Sequence, residues 1–288
     1  MKYRISQHNH NKLPLNHHKF PLNFHKSLPF LFFIFLFTFL GCERVIDVDL
    51  NESNPQIVIE GNLSYNDAEL EVKISKTGSY FSTTPTEKVN DAEVYLENSE
   101  GTRIEAEAFG NGIYKIENYP LEPKKEYHLF IESEGQKYDA KSTLYPPVKI
   151  DSLGFEYQKD VRFFEGGYQL LLYFSDPPYE ENFYRIKVFK NEELFNSVDD
   201  LIVFDDSGLN GKGIQVTLRR QLFDVGDTAY VQFLTIDEKA FLYFSTFREM
   251  ANTNPGSPAP ANPISNFSNG ALGYFSAWSF EEKEIIIE

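Results

Sequence analysis

Cysteine is almost missing from this chain: Cys42 stands alone among 288 residues. No intramolecular disulfide can form, and a zinc site built from Cys and His lacks ligands. Histidine is nearly as scarce. His8, His10, His17, His18 and His25 lie close to the start, which leaves His128 alone in the rest of the chain. A Ser-His-Asp triad needs a histidine as proton shuttle, so only His128 can be asked to serve. There is one tryptophan, Trp278, and no Gly-x-Ser-x-Gly nucleophile elbow. Acids are absent from the first 41 residues, while Lys2, Arg4, Lys12, Lys19 and Lys26 are present there.

Those five bases precede an uncharged run, Leu28 to Leu40, of 13 residues. A bilayer-spanning helix needs about 20 apolar residues. A basic start, a short apolar stretch and a small residue before a cut describe a secretory signal. Leu40-Gly41-Cys42 then reads as a lipobox, with residues 1–41 as the signal peptide and Cys42 as the lipid attachment residue. Two or three acyl chains give anchoring that one cannot, at about 0.8 kcal/mol per buried CH₂. The other reading of the segment is an uncleaved membrane anchor with a chance cysteine. Acylated Cys42 would leave no thiol for catalysis.

Without residues 1–41 the chain carries 43 acids against 22 Lys and Arg, a formal charge of −21. Such a surface disfavours nucleic acid, whose phosphates need cations. It also disfavours docking on anionic lipid, so attachment would rest on the acyl chains. The plainest use of the charge is solubility. Residues 42–55, with Glu43, Asp47, Asp49 and Glu52, read as an acidic tether. Acids just after a lipidated cysteine also fit an address for export to the cell surface.

Thirty-six of the residues after Gly41 are Phe, Tyr or Trp, a composition that favours strands. From Gln56 the apolar period is two: Leu70, Val72 and Ile74 alternate with Glu69, Glu71, Lys73 and Ser75. Further strands hold Ile57 and Ile59, Val94 and Leu96, and Tyr127, Leu129 and Ile131. Ile104–Phe109 and Ile113–Glu117 flank a hairpin turn at Gly110-Asn111-Gly112. About seven short strands predict an immunoglobulin- or transthyretin-like β-sandwich over 56–145. Pro146-Pro147 marks a stiff joint. A second β-rich domain follows over 150–288. In it Tyr184, Ile186 and Val188 alternate with Arg185 and Lys187. Ala240, Phe241, Phe244, Phe247 and Met250 recur at three and four, which predicts one helix over 238–250 capped by Asp237. Residues 252–269 read as a long irregular loop, and Ala271–Phe280 and Lys283–Ile287 as final strands. The fold class is all-β, with no internal repeat visible.

Four segments carry a resemblance. They are Pro55-Gln56-Ile57-Val58-Ile59-Glu60-Gly61, Val89-Asn90-Asp91-Ala92-Glu93-Val94, Leu144 to Leu153, and Asn262 to Ala277 with its Asn269-Gly270-Ala271-Leu272-Gly273-Tyr274-Phe275 core. Together they resemble outer-membrane lipoproteins grouped as domain of unknown function 4249. The resemblance implies a place beside TonB-dependent receptors, in settings similar to SusC/SusD nutrient uptake. It brings no catalytic set, and only Cys42 carries over.

Candidate chemistry is sparse. His128 falls on the strand face opposite Tyr127, Leu129 and Ile131, which predicts a solvent-facing side chain. Asp205-Asp206-Ser207-Gly208-Leu209-Asn210-Gly211 is the best calcium candidate but misses EF-hand spacing. Acid pairs such as Glu180-Glu181 exist, without a separation that sequence can supply. Tyr274, Ser276 and Trp278 share one strand face and Phe275, Ala277 and Ser279 the other. Core packing and a sugar-stacking platform are both open to them. The expectation is a non-catalytic, lipid-anchored outer-membrane protein, an accessory or ligand-capturing partner of a transport receptor, with no cofactor. The alternatives are a structural or adhesion module of the envelope, and a hydrolase on a β scaffold.

Overall fold

Apolar alternation sets the first strands of the computed structural model, which describes residues 55–78, 85–159, 166–251 and 262–288. Cys42, the leader, nearly all of the 42–55 tether and most of the 252–269 loop lie outside the described residues. Strands β1 (Ile57–Ser64) and β2 (Glu69–Lys76) form an antiparallel hairpin. Leu70, Val72 and Ile74 are buried on one face, and Glu69, Glu71 and Lys73 take the other. Then come β3 (Glu93–Glu97), β4 (Arg103–Glu105), β5 (Glu107–Gly110), β6 (Ile113–Ile116), β7 (Lys125–Ser133) and β8 (Gln136–Leu144).

One sheet runs β1-β2-β6-β5 and the facing one β4-β3-β7-β8. Lettered along the chain, these are the A-B-E-D and C′-C-F-G sheets of an immunoglobulin-like sandwich. Leu63, Leu70, Leu96 and Leu129 are fully buried between them. Tyr127 opens the F strand as that fold expects of its tyrosine corner. Its hydroxyl accepts the Glu122 N–H at 2.8 Å and reaches back to the Glu122 carbonyl at 3.4 Å. The expected single strand Ile104–Phe109 is in fact two. The chain changes sheets at buried Ala106, whose N–H donates to Val94 O at 2.8 Å, so β4 pairs with β3 and β5 with β6.

The second half comprises β9 (Ile150–Gln158), β10 (Gly167–Ser175), β11 (Phe183–Lys190), β12 (Glu193–Leu194), β13 (Ile202–Asp205), β14 (Gly213–Phe223), β15 (Thr228–Ile236), helix α1 (Glu238–Ala251) and β16 (Leu272–Ile286). Its sheets are β9-β10-β14 and β13-β11-β15-β16. That is again A-B-E against C′-C-F-G. A repeat invisible in the sequence is therefore present in the topology. Strand order is set by which backbones pair, and alternation on one face satisfies it without shared residues. Helix α1 is inserted in the F–G connection. Buried Asp237 caps it, accepting the Ala240 N–H at 2.9 Å with one oxygen and the Thr143 N–H of β8 at 3.1 Å with the other. Burial pushes its carboxyl upward all the same.

The two halves share a strand. The expected pair of final strands is one continuous β16. From Leu272 to Trp278 it pairs in parallel with β1, and from Ser279 to Ile286 antiparallel with β15. Residues expected to belong wholly to the second domain thus close the first core, which holds Phe275 and Ala277. Its entry needs a glycine. Gly273 has φ of +100°, and a Cβ there would lie 1.9 Å from the Ile59 carbonyl oxygen of β1.

Two substitutions test this frame by thermal unfolding. Gly273→Ala should lower stability by at least about 2 kcal/mol, from strain at positive φ plus the backbone clash. A Tm drop of about 4 °C or more is expected, and an unchanged Tm would contradict the pairing. Tyr127→Phe should cost about 1–2 kcal/mol, since the Glu122 N–H loses its acceptor.

Candidate functional site

The lone histidine after residue 41, expected to face solvent, does not. His128 is mostly covered. Its Nε2 lies 2.9 Å from Asp139 Oδ2, and its ring centroid is 3.8 Å from that of Phe130. Asp139 also accepts the Ser268 hydroxyl at 2.5 Å. These contacts hold its carboxyl below the usual range, the Ser268 bond most strongly and His128 next. The order is Ser–Asp–His, with the carboxylate in the middle. A nucleophilic serine needs the imidazole as its base, whereas Ser268 donates to an acid and fastens the 262–271 segment onto β8. The Asp205–Gly211 loop is a polar turn whose bonds run within itself and to the neighbouring Asp176–Tyr179 segment. Ser207 N–H donates to Asp205 Oδ1 at 3.0 Å, Asn210 Oδ1 accepts the Tyr179 N–H at 2.9 Å, and Gly211 N–H reaches Asp176 Oδ2 at 3.1 Å. Glu180 of the Glu180-Glu181 pair is engaged by Lys124 at 2.6 Å.

The residues that do converge lie on the outer face of the shared sheet. Along β11, Tyr184, Ile186 and Val188 enter the second core, so Phe183, Arg185 and Lys187 point the other way. Alternation alone makes that face look solvated. Helix α1 and the segment around Leu194–Leu201 instead wall it. Phe183, Phe244, Trp278 and Phe280 belong to a third apolar cluster there. Tyr274 and Trp278 fall on this face and Phe275 and Ala277 on the opposite one, as the strand period expects.

Arg185 and Lys187 are partly buried in this setting. Arg185 Cζ stands 4.1 Å from the Phe244 ring centroid, and Lys187 Nζ 4.8 Å from that of Trp278. Tyr274 adjoins Arg185 and lies 3.0 Å by its hydroxyl from Asn62 Oδ1. Among the described residues neither cation has a carboxylate partner, whereas Lys190 on the same strand sits 2.7 Å from Asp227. Arg185 Nε is buried with no acceptor. Burial pushes the guanidinium down against the opposing effect of Tyr274. Burial also pushes Lys187 down, helped by the like charge of Arg185 and opposed by Asp67, to about 8. Burial raises Tyr274 and Tyr243.

Two adjoining hollows share Arg185, Lys187, Glu60, Leu194 and Tyr274. The one beside the helix, about 310 Å³, adds Phe195, Asp200, Tyr243, Phe244 and Phe247. The other, about 490 Å³, adds Asn62, Asp67, Glu69, Glu71, Lys73 and Trp278. A cation taken from water without a counter-charge is costly. A cation–π contact offsets roughly 0.5–2 kcal/mol of that. The arrangement is a preformed cleft with aromatic walls, where two cations without a carboxylate partner among the described residues share the lining with several acids. The sequence signal for it was only a pair of cations at i, i+2 in a strand, which is indistinguishable from a wet face.

The chain is thus a double immunoglobulin-like sandwich with a cleft, floored by Arg185 and Lys187, against an inserted helix. Residues 43–284 match the family described as Domain of unknown function (DUF4249), and the chain belongs to that family. No curated protein matches it. Among solved structures it is similar to the "two fibronectin type-III domain segment from chicken tenascin". Identity is 11%, with 81% of this chain and 99% of that chain covered and a TM-score of 0.21.

Lys187 has a consequence for stability. Its folded pKa is depressed from 10.5 to about 8, so the unfolded chain holds the proton more tightly between these values. Stability therefore rises with pH across that window, and the penalty for the buried charge is fullest below pH 8. Lys187→Met should raise Tm at pH 6–7, and the gain should shrink as pH climbs from about 8 toward 10.5. A variant whose advantage ignores pH would contradict the assignment.

Proposed function

We propose that this protein is a lipid-anchored outer-membrane protein, held by acyl chains on Cys42, that serves a TonB-dependent receptor complex in nutrient uptake as a non-catalytic accessory or ligand-capturing component. The observation that carries the reading is Leu40-Gly41-Cys42 at the close of an uncharged run preceded by five bases and no acid. A formal charge of −21 after Gly41 leaves the acyl chains as the natural means of attachment. Among the described residues no helix is long and apolar enough to cross a membrane. The cleft on the outer sheet face supports a capturing role. It pairs apolar walls with a few convergent polar groups, as small-molecule sites do. The Ser–Asp–His order at Ser268, Asp139 and His128 supports the non-catalytic part, because the hydroxyl meets the carboxylate and not the imidazole.

The test is Cys42→Ser in the native host. The wild-type protein should fractionate with the outer membrane, bear a diacylglyceryl mass on Cys42 and co-purify with a receptor barrel. The variant should leave the membrane fraction. Retention of the variant in the membrane, or an unmodified cysteine in the wild type, would overturn the anchoring. Absence of any receptor from the wild-type pull-down, with uptake unchanged on deletion, would overturn the accessory role.

A further inference from the structure

We propose that the cleft floored by Arg185 and Lys187 binds a small organic carboxylate whose apolar, ring-sized body lies against the helix. The inference rests on the capturing role above and names its ligand class.

Four observations converge on it. First, two cations two residues apart on one strand lack carboxylate partners among the described residues, in a chain where acids outnumber bases. Surface lysines elsewhere are paired readily, Lys115 with Glu69 at 2.8 Å and Lys76 with Glu134 at 2.6 Å. Second, Arg185 Nε is a buried donor with no acceptor among the described residues, which is uncommon in native interiors. Third, the guanidinium is held in place by its stack on Phe244 at 4.1 Å and by Tyr274, which is itself near Asn62. The donor is therefore pre-organised rather than waving in solvent. Fourth, the adjoining wall of Leu194, Phe195, Phe244 and Phe247 is apolar, and the hollow of about 310 Å³ suits one ring with its substituent.

The charge balance favours a single negative charge. Glu60 lines both hollows, Asp200 the first, and Asp67, Glu69 and Glu71 the second, with Glu69 and Glu71 paired to Lys115 at 2.8 and 3.0 Å, so a dianion would meet more repulsion than a monoanion. A carboxylate matches the planar edge of a guanidinium, and Lys187 adds a second point charge beside it.

The test uses the full chain in detergent and ligand-observed NMR or calorimetry with three probes: phenylacetate, phenyl phosphate and neutral phenylacetamide. Phenylacetate should bind saturably and the amide at least about tenfold more weakly, as loss of a charge-assisted bond implies. Arg185→Gln should weaken phenylacetate by about tenfold or more, Arg185→Lys less, and Lys187→Gln measurably. Arg219→Gln, away from this cleft, should change nothing. No saturable binding, equal binding of acid and amide, or indifference to both Arg185→Gln and Lys187→Gln would overturn the proposal. Tighter phenyl phosphate than phenylacetate would overturn the carboxylate assignment. If Arg185→Gln fails to fold, Lys187→Gln and the acid–amide comparison on wild type still decide it. Anchoring is read separately by fractionation, so failure here and failure of Cys42 acylation are distinguishable.

Discussion

Strand β16 pairs with β1 over one half of its length and with β15 over the other, and the placement of everything else follows from that. Because the pairing is continuous, the A strand of the first sandwich and the G strand of the second lie in one sheet. Side-chain interactions lock the seam. Asn66 and Phe280, 214 residues apart, exchange two bonds of 2.9 Å between the Asn66 amide and the Phe280 backbone. Ser142 of β8 accepts the Ala277 N–H at 2.8 Å, and Ser279 donates to Tyr145 O at 2.7 Å. Two sandwiches joined only by Pro146-Pro147 would be free to swing. Sharing a strand makes them one body, and it gives the joined sheet an outer face broad enough to carry a site. The same pairing sets a high contact order, because β1 must wait for nearly the whole chain before it gains this neighbour.

The cleft depends on that breadth. Glu60 and Asn62 come from β1, Arg185 and Lys187 from β11, Tyr274 and Trp278 from β16, and Phe244 from helix α1. Four elements from both sandwiches meet only because β16 brings β1 and β11 into one sheet. The inserted helix then turns a wet face into an enclosed one. Asp237 links this enclosure to the first sandwich, since one carboxylate caps α1 and also receives the Thr143 N–H of β8. The helix is thereby fixed to the seam rather than merely laid over it.

Much of the frame was legible in the sequence, for reasons that can be named. Period-two alternation at Leu70, Val72 and Ile74, and period-three-and-four spacing at Ala240, Phe244 and Phe247, each report one buried face. Asp237 was legible as a cap because a short acceptor before a helical run has few other uses. What escaped was long-range. Nothing local marks Ala106 as the residue where the chain changes sheets, since its neighbours Ile104 and Phe109 continue an acceptable strand pattern. Nothing local says that Leu272–Trp278 will seek β1 rather than β15. Gly273 was visible as a residue of the segment that carries the family resemblance, but its reason is a carbonyl of Ile59 more than 200 residues away. The second sandwich repeats the strand order of the first with no residue pattern in common. Arg185 and Lys187 were read on a strand, yet alternation cannot distinguish a face that meets water from one that a later helix will cover. His128 misled in the same way. Its strand face was right, but Asp139 and Phe130 were waiting on it.

An acidic protein with two cations in a cleft, unpaired among the described residues, raises a question of range. With 43 acids against 22 bases after residue 41, the far field is negative and disfavours the approach of any anion. Screening limits that field to a Debye length of about 8 Å at physiological ionic strength. Inside the cleft Arg185 and Lys187 are partly shielded from water and have no carboxylate partner among the described residues, so their pull at short range is worth more than that of a surface charge. Steering and holding are therefore separate properties of this molecule. The outer acids slow the arrival of anions in general, and multiply charged ones most. The enclosed cations reward only an anion small enough to enter and apolar enough to shed water against Phe195, Phe244 and Phe247. Selectivity of this kind comes from the contrast between surface and interior, and it survives only while the helix stays seated on the seam that β16 creates.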